Sequence, residues 1–312
     1  MVSAVLPFRL RSLVEPLLPD WIEARWWGSP EELQALAPEA EIGWFDLHTK
    51  PPVLAAVESA ANLRWLNSAY AGVDWLPLAE LERRGVALTC GSGLTATAVA
   101  EFAVLAMLAV AKDYPAVVRA QDRREWLNEA PGTRELAGSR ALILGQGAIG
   151  RTIDRMLQGF GVETVPVRRR QEEGALGPDE WQARLGEFDW IVLALPGTAE
   201  TRGLIGAREI AAMKPDAVLV NYARADVVDQ PALIEALREK RIAAAVLDLT
   251  DPEPLPPDHP LWSLGNAHIT MHLSGIPTEA SLRRAAERFA RNCERFRSGE
   301  ALEAQVDLKR GY

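Results

Sequence analysis

The chain has 312 residues, 48% of them hydrophobic and 25% charged, a globular composition long enough for two domains with separate cores. A net charge of −9 argues against a nucleic-acid partner, because gripping phosphate backbones takes basic surface. Only Cys90 and Cys293 are present, which excludes a disulfide framework, and the longest apolar run, 98–111, is broken by Glu101 and too short to span a bilayer.

At the start of the chain Arg9 and Arg11 interrupt the apolar residues and no small-residue cleavage site follows. A cytoplasmic protein without a membrane partner is therefore expected. Residues 1–94 alternate helical patterns with short apolar runs at 4–8, 41–45, 63–67 and 86–89. Ser29 as N-cap, Pro30 at the first helical position and Glu32 closing a capping box mark one helix start. Such alternation implies a parallel sheet flanked by helices. Residues 97–112 predict a long apolar helix, buried on most sides, that crosses into a second domain and supports a subunit interface.

The apolar run 141–144 leads directly into Gly145-Gln146-Gly147-Ala148-Ile149-Gly150 and then into a helical pattern. A strand–GxGxxG–helix order is what a dinucleotide pyrophosphate needs. Gly145 allows the tight turn, Gly147 lets the backbone approach the phosphates, and Gly150 lets helix and strand pack closely. The free N–H groups of Ala148 and Ile149 lie at the positive end of the helix, facing the anion. Strands are predicted at 141–145, 164–167, 190–195, 217–222, 243–248 and 267–271, the six that a complete dinucleotide-binding fold needs.

After the second of these come Arg168, Arg169 and Arg170, where an NAD-preferring site wants an Asp or Glu for the ribose hydroxyls. Guanidinium groups there suit a 2′-phosphate, so NADP is expected, with NAD possible; a solvated cationic turn is the bland alternative. The fourth strand delivers Arg224 to the carboxyl edge of the sheet, where ligands bind, and a guanidinium there suits a carboxylate. The fifth ends in Asp248, followed by Glu253 on a loop stiffened by prolines 252, 254, 256 and 257. A solvated acidic turn fits Glu253 equally well. The sixth delivers His272, the residue type most readily poised as an acid or base near neutral pH. His48, His259 and His268 are assigned structural roles. Residues 278–297 are amphipathic, with Leu282, Ala286, Phe289, Cys293 and Phe296 on one stripe. With no further strand to serve, this helix is expected to return to the first domain.

Taken in order, Ala71-Gly72-Val73-Asp74, Thr97-Ala98-Val99-Ala100-Glu101, the Gly145–Gly150 turn, Ala194-Leu195-Pro196-Gly197-Thr198, Asn221-Tyr222-Ala223-Arg224, Asp248, Glu253-Pro254 and His272 resemble the D-isomer-specific 2-hydroxyacid dehydrogenase family. The resemblance covers essentially the whole chain. It implies an α/β fold of two doubly wound parallel-sheet domains. A Rossmann dinucleotide-binding domain (96–276) would be inserted in a flavodoxin-like substrate domain (1–95 and 277–312). By position, Arg224 would bind the substrate carboxylate and keto oxygen. His272 would protonate that oxygen as hydride arrives from the nicotinamide, and Glu253 would keep His272 cationic. The amides of Ala71 and Gly72 would hold the carboxylate, Asp248 would lie against the nicotinamide, and Leu195, Pro196 and Ala223 would complete the cofactor site. The ending at 306–312 is similar to that of the branch reducing glyoxylate and hydroxypyruvate.

Three departures stand out. Met271 replaces the usual Pro before the His, which suggests a looser backbone. Ala225 replaces a Gly. Phe45-Asp46 stand where members acting on phosphorylated substrates carry an Arg, which argues against such a substrate. The resulting expectation is NADPH-dependent reduction of a small 2-keto acid to the D-2-hydroxy acid, by a homodimer without a metal. The alternatives are a dinucleotide-sensing corepressor and a formate- or phosphite-type dehydrogenase.

Overall fold

The computed structural model describes residues 1–168 and 174–311. They form two compact units, Met1–Thr95 with Pro277–Tyr312, and Ala96–Ile276.

In the first unit, β1 (Val2–Pro7), β2 (Ile22–Trp27), β3 (Ile42–Trp44), β4 (Trp65–Asn67) and β5 (Ala87–Thr89) make a parallel sheet in the order β2-β1-β3-β4-β5. The central strands are covered on both faces, which is why β1, β3 and β4 read as short apolar runs, whereas β2 at the edge carries the exposed Glu23 and Arg25 and lies outside the predicted runs. Ser29 caps helix Pro30–Leu36 by accepting from the Glu32 amide at 3.2 Å. The Glu32 carboxylate closes on the amide of Gly28 at 2.6 Å, one residue further out than the capping box places it. Helix Glu279–Ser298 lays Ala286, Phe289 and Cys293 against one face. The ring of Phe289 sits 5.2 Å from that of Trp44 and 4.9 Å from that of Trp65, all three fully buried.

In the second unit, β6 (Arg140–Leu144), β7 (Glu163–Val167), β8 (Trp190–Leu193), β9 (Val218–Asn221), β10 (Ala244–Leu247) and β11 (Ala267–Ile269) are likewise all parallel, in the order β11-β10-β9-β8-β6-β7. The strand that would flank β7 in a 3-2-1-4-5-6 sheet is reduced to a single bridge, Val167 to Leu176. Order reverses between β6 and β8, so the chain leaves that edge in opposite directions and opens a crevice there. Helix Ala148–Gly159 buries Ile153 and Leu157 against Ile143 on one face, and Phe188, Ile210 and Leu233 fill the other. Helix Ala96–Lys112 lies wholly in this unit, packing Ala100, Ala103 and Met107 inward while Leu105 stays 60% exposed. The long apolar helix thus keeps one open side. No helix among the described residues is long and apolar enough to cross a membrane.

Phe289→Ala removes the ring that fills the space between the two buried tryptophans. It is expected to destabilise the protein by about 3–5 kcal/mol in denaturant titration, the usual range for a buried Phe truncation. A loss below about 1 kcal/mol would mean that the helix contributes little to this core.

Candidate active site

The turn after β6 is shaped by close backbone approaches. Gly145 has φ 102°, in the left-handed region, and a Cβ there would lie 2.5 Å from the Ala194 carbonyl oxygen. A Cβ on Gly150 would lie 1.9 Å from the carbonyl oxygen of Gly145, which no side chain can tolerate. Gly147, the residue before helix Ala148–Gly159, differs: a Cβ there meets nothing within 4 Å. Two glycines are therefore demanded by the protein's own packing, while the third faces open space beside the helix N-terminus, where the amides of Ala148 and Ile149 begin the first turn. That is the side from which an anionic group can approach, so the residues present fit a dinucleotide pyrophosphate.

Leu195 and Pro196 follow β8 across the switch point. Their loop is closed by Thr201, whose hydroxyl donates to the Pro196 carbonyl at 2.8 Å and accepts from the Thr198 amide at 2.9 Å. Arg168 directly follows β7, with its amide bonded to the Leu176 carbonyl at 2.9 Å. Arg169 lies outside the described residues.

At the end of β9 the side chain of Asn221, 1% exposed, pins the next turn. Its Oδ1 accepts from the Ala223 amide at 3.0 Å and its Nδ2 donates to the Arg224 carbonyl at 2.9 Å. Arg224 runs past Gly197, where a Cβ would stand 2.7 Å from the Arg224 Cγ. After β10, Asp248 is 3% exposed and accepts hydrogen bonds from the hydroxyls of Thr270 and Ser274. Its main-chain carbonyl accepts from the His272 amide at 2.6 Å.

Met271 and His272 have φ 54° and 56°, both left-handed. Proline, fixed near −65°, cannot take this conformation. The Met271 departure therefore goes with a different and well-held turn, not a looser one: besides the His272 bond, the Leu273 amide donates to the Thr270 carbonyl at 3.0 Å.

His272 Nδ1 lies 3.0 Å from Glu253 Oε2, and Glu253 Oε1 accepts from the Thr250 amide at 3.1 Å. A carboxylate on Nδ1 fixes the tautomer and leaves Nε2 as the atom that can give or take a proton. The hydrogen bond to Glu253 is the main cause that raises the His272 pKa, against an opposing effect of burial; the charges of Glu253 and Asp248 add to the rise and Arg224 subtracts. For Glu253, burial pushes upward. It is outweighed by the hydrogen bonds from His272 and the Thr250 amide and by the charges of His272 and Arg224, so the net shift is downward. A Cβ on Gly275 would meet the ring only at ordinary contact distance, 4.0 Å from Nε2.

In the first unit, the exposed Ala71 and the half-buried Gly72 lie in the loop after β4. The segment leading to them is tied to Asp46, just after β3. Asp46 is 4% exposed and accepts from Ser68 Oγ at 2.7 Å, the Ala69 amide at 2.7 Å and Trp44 Nε1 at 2.8 Å. Burial drives its pKa up. Sequence reading noted Asp46 only for not being an Arg. Its role as a buried frame was missed, as were Thr270 and Ser274; their spacing of two on either side of His272 was the available signal.

Residues 104–274 match the model of the D-isomer specific 2-hydroxyacid dehydrogenase NAD binding domain. The glyoxylate reductase/hydroxypyruvate reductase of Mus musculus is 34% identical over 263 residues, covering 80% of this chain and 79% of that protein. The chain belongs to the D-isomer-specific 2-hydroxyacid dehydrogenase family. A family protein from Aeromonas salmonicida subsp. salmonicida A449 superposes with TM-score 0.87 at 30% identity, covering 98% of this chain and 99% of that one. Another, from Xanthobacter autotrophicus Py2 and solved in complex with NADPH and MES, superposes with TM-score 0.79 at 29% identity over the full length of both chains. Membership supports oxidoreductase chemistry on small 2-hydroxy or 2-keto acids with an NAD(P) cofactor.

Gly150→Ala and Gly147→Ala separate packing from ligand access. In thermal denaturation of the unliganded protein, Gly150→Ala is expected to melt well below the parent and Gly147→Ala close to it, because only the former drives a Cβ into backbone. Equal melting temperatures for the two variants would contradict the packing at this turn.

Proposed function

We propose that the protein reduces a small 2-keto acid, of the glyoxylate or hydroxypyruvate kind, to the D-2-hydroxy acid with NADPH as reductant. The observation that carries this reading is the 3.0 Å Glu253–His272 pair with Nε2 left open, on the same sheet edge as Arg224 and the Gly145–Gly150 turn. The Gly145–Gly150 turn would hold the dinucleotide pyrophosphate, Leu195, Pro196, Ala223 and Asp248 would complete the cofactor site, and the bound cofactor would supply hydride to the keto carbon. Arg224 grips the carboxylate and the keto oxygen through its planar fork. His272, whose pKa the Glu253 hydrogen bond raises, delivers the Nε2 proton to the keto oxygen, and Glu253 steadies the cation until it does so. Ala71 and Gly72 remain carboxylate ligands on the resemblance alone.

The preference for NADPH rests on Arg168 standing directly after β7, where a carboxylate would repel a 2′-phosphate. The NADPH complex of the relative at 29% identity is in line with it. The homodimer is proposed to form over the open side of helix Ala96–Lys112, where Leu105 and Trp262 help line a cavity of about 430 Å³.

The test is oxidation of NADPH and NADH on addition of a panel of 2-keto acids. Wild type should turn over glyoxylate or hydroxypyruvate with NADPH preferred, and His272→Ala should lose at least ~100-fold in kcat while still binding NADPH. Arg168→Asp should shift relative kcat/KM toward NADH by about ten- to hundredfold, the worth of a charge-assisted hydrogen bond. No turnover of any keto acid overturns the reading, and a wild-type preference for NADH overturns the cofactor assignment.

A further inference from the structure

Resting on the reading that His272 is the proton donor, we propose that the hydroxyls of Thr270 and Ser274 are positioning residues: by clamping the buried Asp248 carboxylate they hold the left-handed turn that presents the His272 ring.

Asp248 is 3% exposed, and no cation pairs with it among the described residues. A buried carboxylate in that state is costly unless its oxygens are hydrogen-bonded. Thr270 donates to Oδ1 and Ser274 to Oδ2, one hydroxyl to each oxygen. Thr270 is the last residue before the two left-handed positions and Ser274 lies two residues after His272, inside the short helical turn Leu273–Gly275. The two donors thus grip the segment at both ends and fasten it to one acceptor on the neighbouring strand. Between them the Asp248 carbonyl holds the His272 amide at 2.6 Å, so the same residue anchors the histidine through its main chain. Left-handed conformations of side-chain-bearing residues persist only where surrounding contacts over-determine them, and these are the contacts available.

The clamp also has an electrostatic side. Three charged groups act on His272: Glu253 and Asp248 favour its cation and Arg224 opposes it. Both hydroxyls donate to Asp248, the carboxylate whose charge supports the imidazolium. Tyr222, whose phenol is pushed up mainly by burial, approaches the Thr270 hydroxyl at 3.5 Å and closes the cluster on its far side.

The experiment compares Thr270→Val, which keeps shape but removes the hydroxyl, Thr270→Ser, which keeps the hydroxyl, and Ser274→Ala. His272 is titrated by NMR of its ring in the unliganded full-length protein, and kcat and KM for 2-keto acid reduction are measured across pH. Thr270→Val and Ser274→Ala should both move the His272 titration down toward an ordinary histidine and lower kcat at neutral pH by roughly three- to tenfold, with KM changed far less. Thr270→Ser should titrate like wild type. Wild-type titration in both hydroxyl-deleted variants overturns the inference, as does a Thr270→Ser variant as impaired as Thr270→Val. Should Ser274→Ala not fold, the Thr270 pair decides alone. A shifted titration in a protein that reduces no keto acid at all would leave the clamp standing and sink the proposed function instead.

Discussion

Parallel strand direction is the constraint from which the candidate site follows. Because all six strands of the second unit run the same way, the segments after β6, β9, β10 and β11 emerge at one edge. The glycine turn, Arg224, Asp248 and His272 are spread over more than 120 residues, and pairing of β9 and β10 through Leu247–Asn221, and of β10 and β11 through Leu247–Ile269, sets their strand ends level. No local feature of the chain could do this. The sheet in turn depends on burial of both faces of its central strands, which is why β8, β9 and β10 are almost wholly apolar and the chemistry is confined to the loops.

The edge costs stability in several places, and each cost has a visible local remedy. Asp248 is buried with no ion pair among the described residues, and two hydroxyls take its oxygens. Met271 and His272 sit in left-handed conformations, held by main-chain bonds to Asp248 and Thr270. Glu253 is drawn partly out of water, and His272 with the Thr250 amide takes up both of its oxygens. Asp46 at the corresponding edge of the first unit is treated the same way, by Trp44, Ser68 and Ala69. Carboxylates at the strand ends therefore act as anchors for neighbouring turns as much as for chemistry.

Much of this was legible in the chain because the signals are local. The apolar runs at 141–145, 164–167 and 190–195 coincide with β6, β7 and β8 to within two residues, and the stripe from Leu282 to Phe296 marked the buried face of the last helix. The GxGxxG turn could be read because two of its glycines are forced by backbone contacts at 2.5 and 1.9 Å. What escaped depends on pairing across the sequence. Edge strand β2, where apolar residues alternate with Glu23 and Arg25, was not among the predicted runs, because its place is set by pairing with β1. Ser274 lies 26 residues from the Asp248 carboxylate it serves, so its spacing from His272 could mark it but only the fold reveals its partner. Asp46 reads as a polar residue at a strand end, and its burial under the turn that leads to Ala71 appears only in three dimensions.

The central claim is that Glu253 holds His272 as the proton donor, and the pH dependence of kcat/KM for NADPH-linked keto acid reduction tests it most directly. His272 carries a raised pKa, so its cation is complete below the ordinary histidine value of about 6.5 and is lost only as pH rises through the raised value. Reduction should therefore fall along a limb placed above that ordinary value, while oxidation of the hydroxy acid, which needs the neutral imidazole, rises over the same range. In Glu253→Gln both limbs should move to lower pH, because the main cause of the raised pKa is gone. Limbs that stay where they are in Glu253→Gln, or a reduction rate indifferent to pH across this range, would contradict the account.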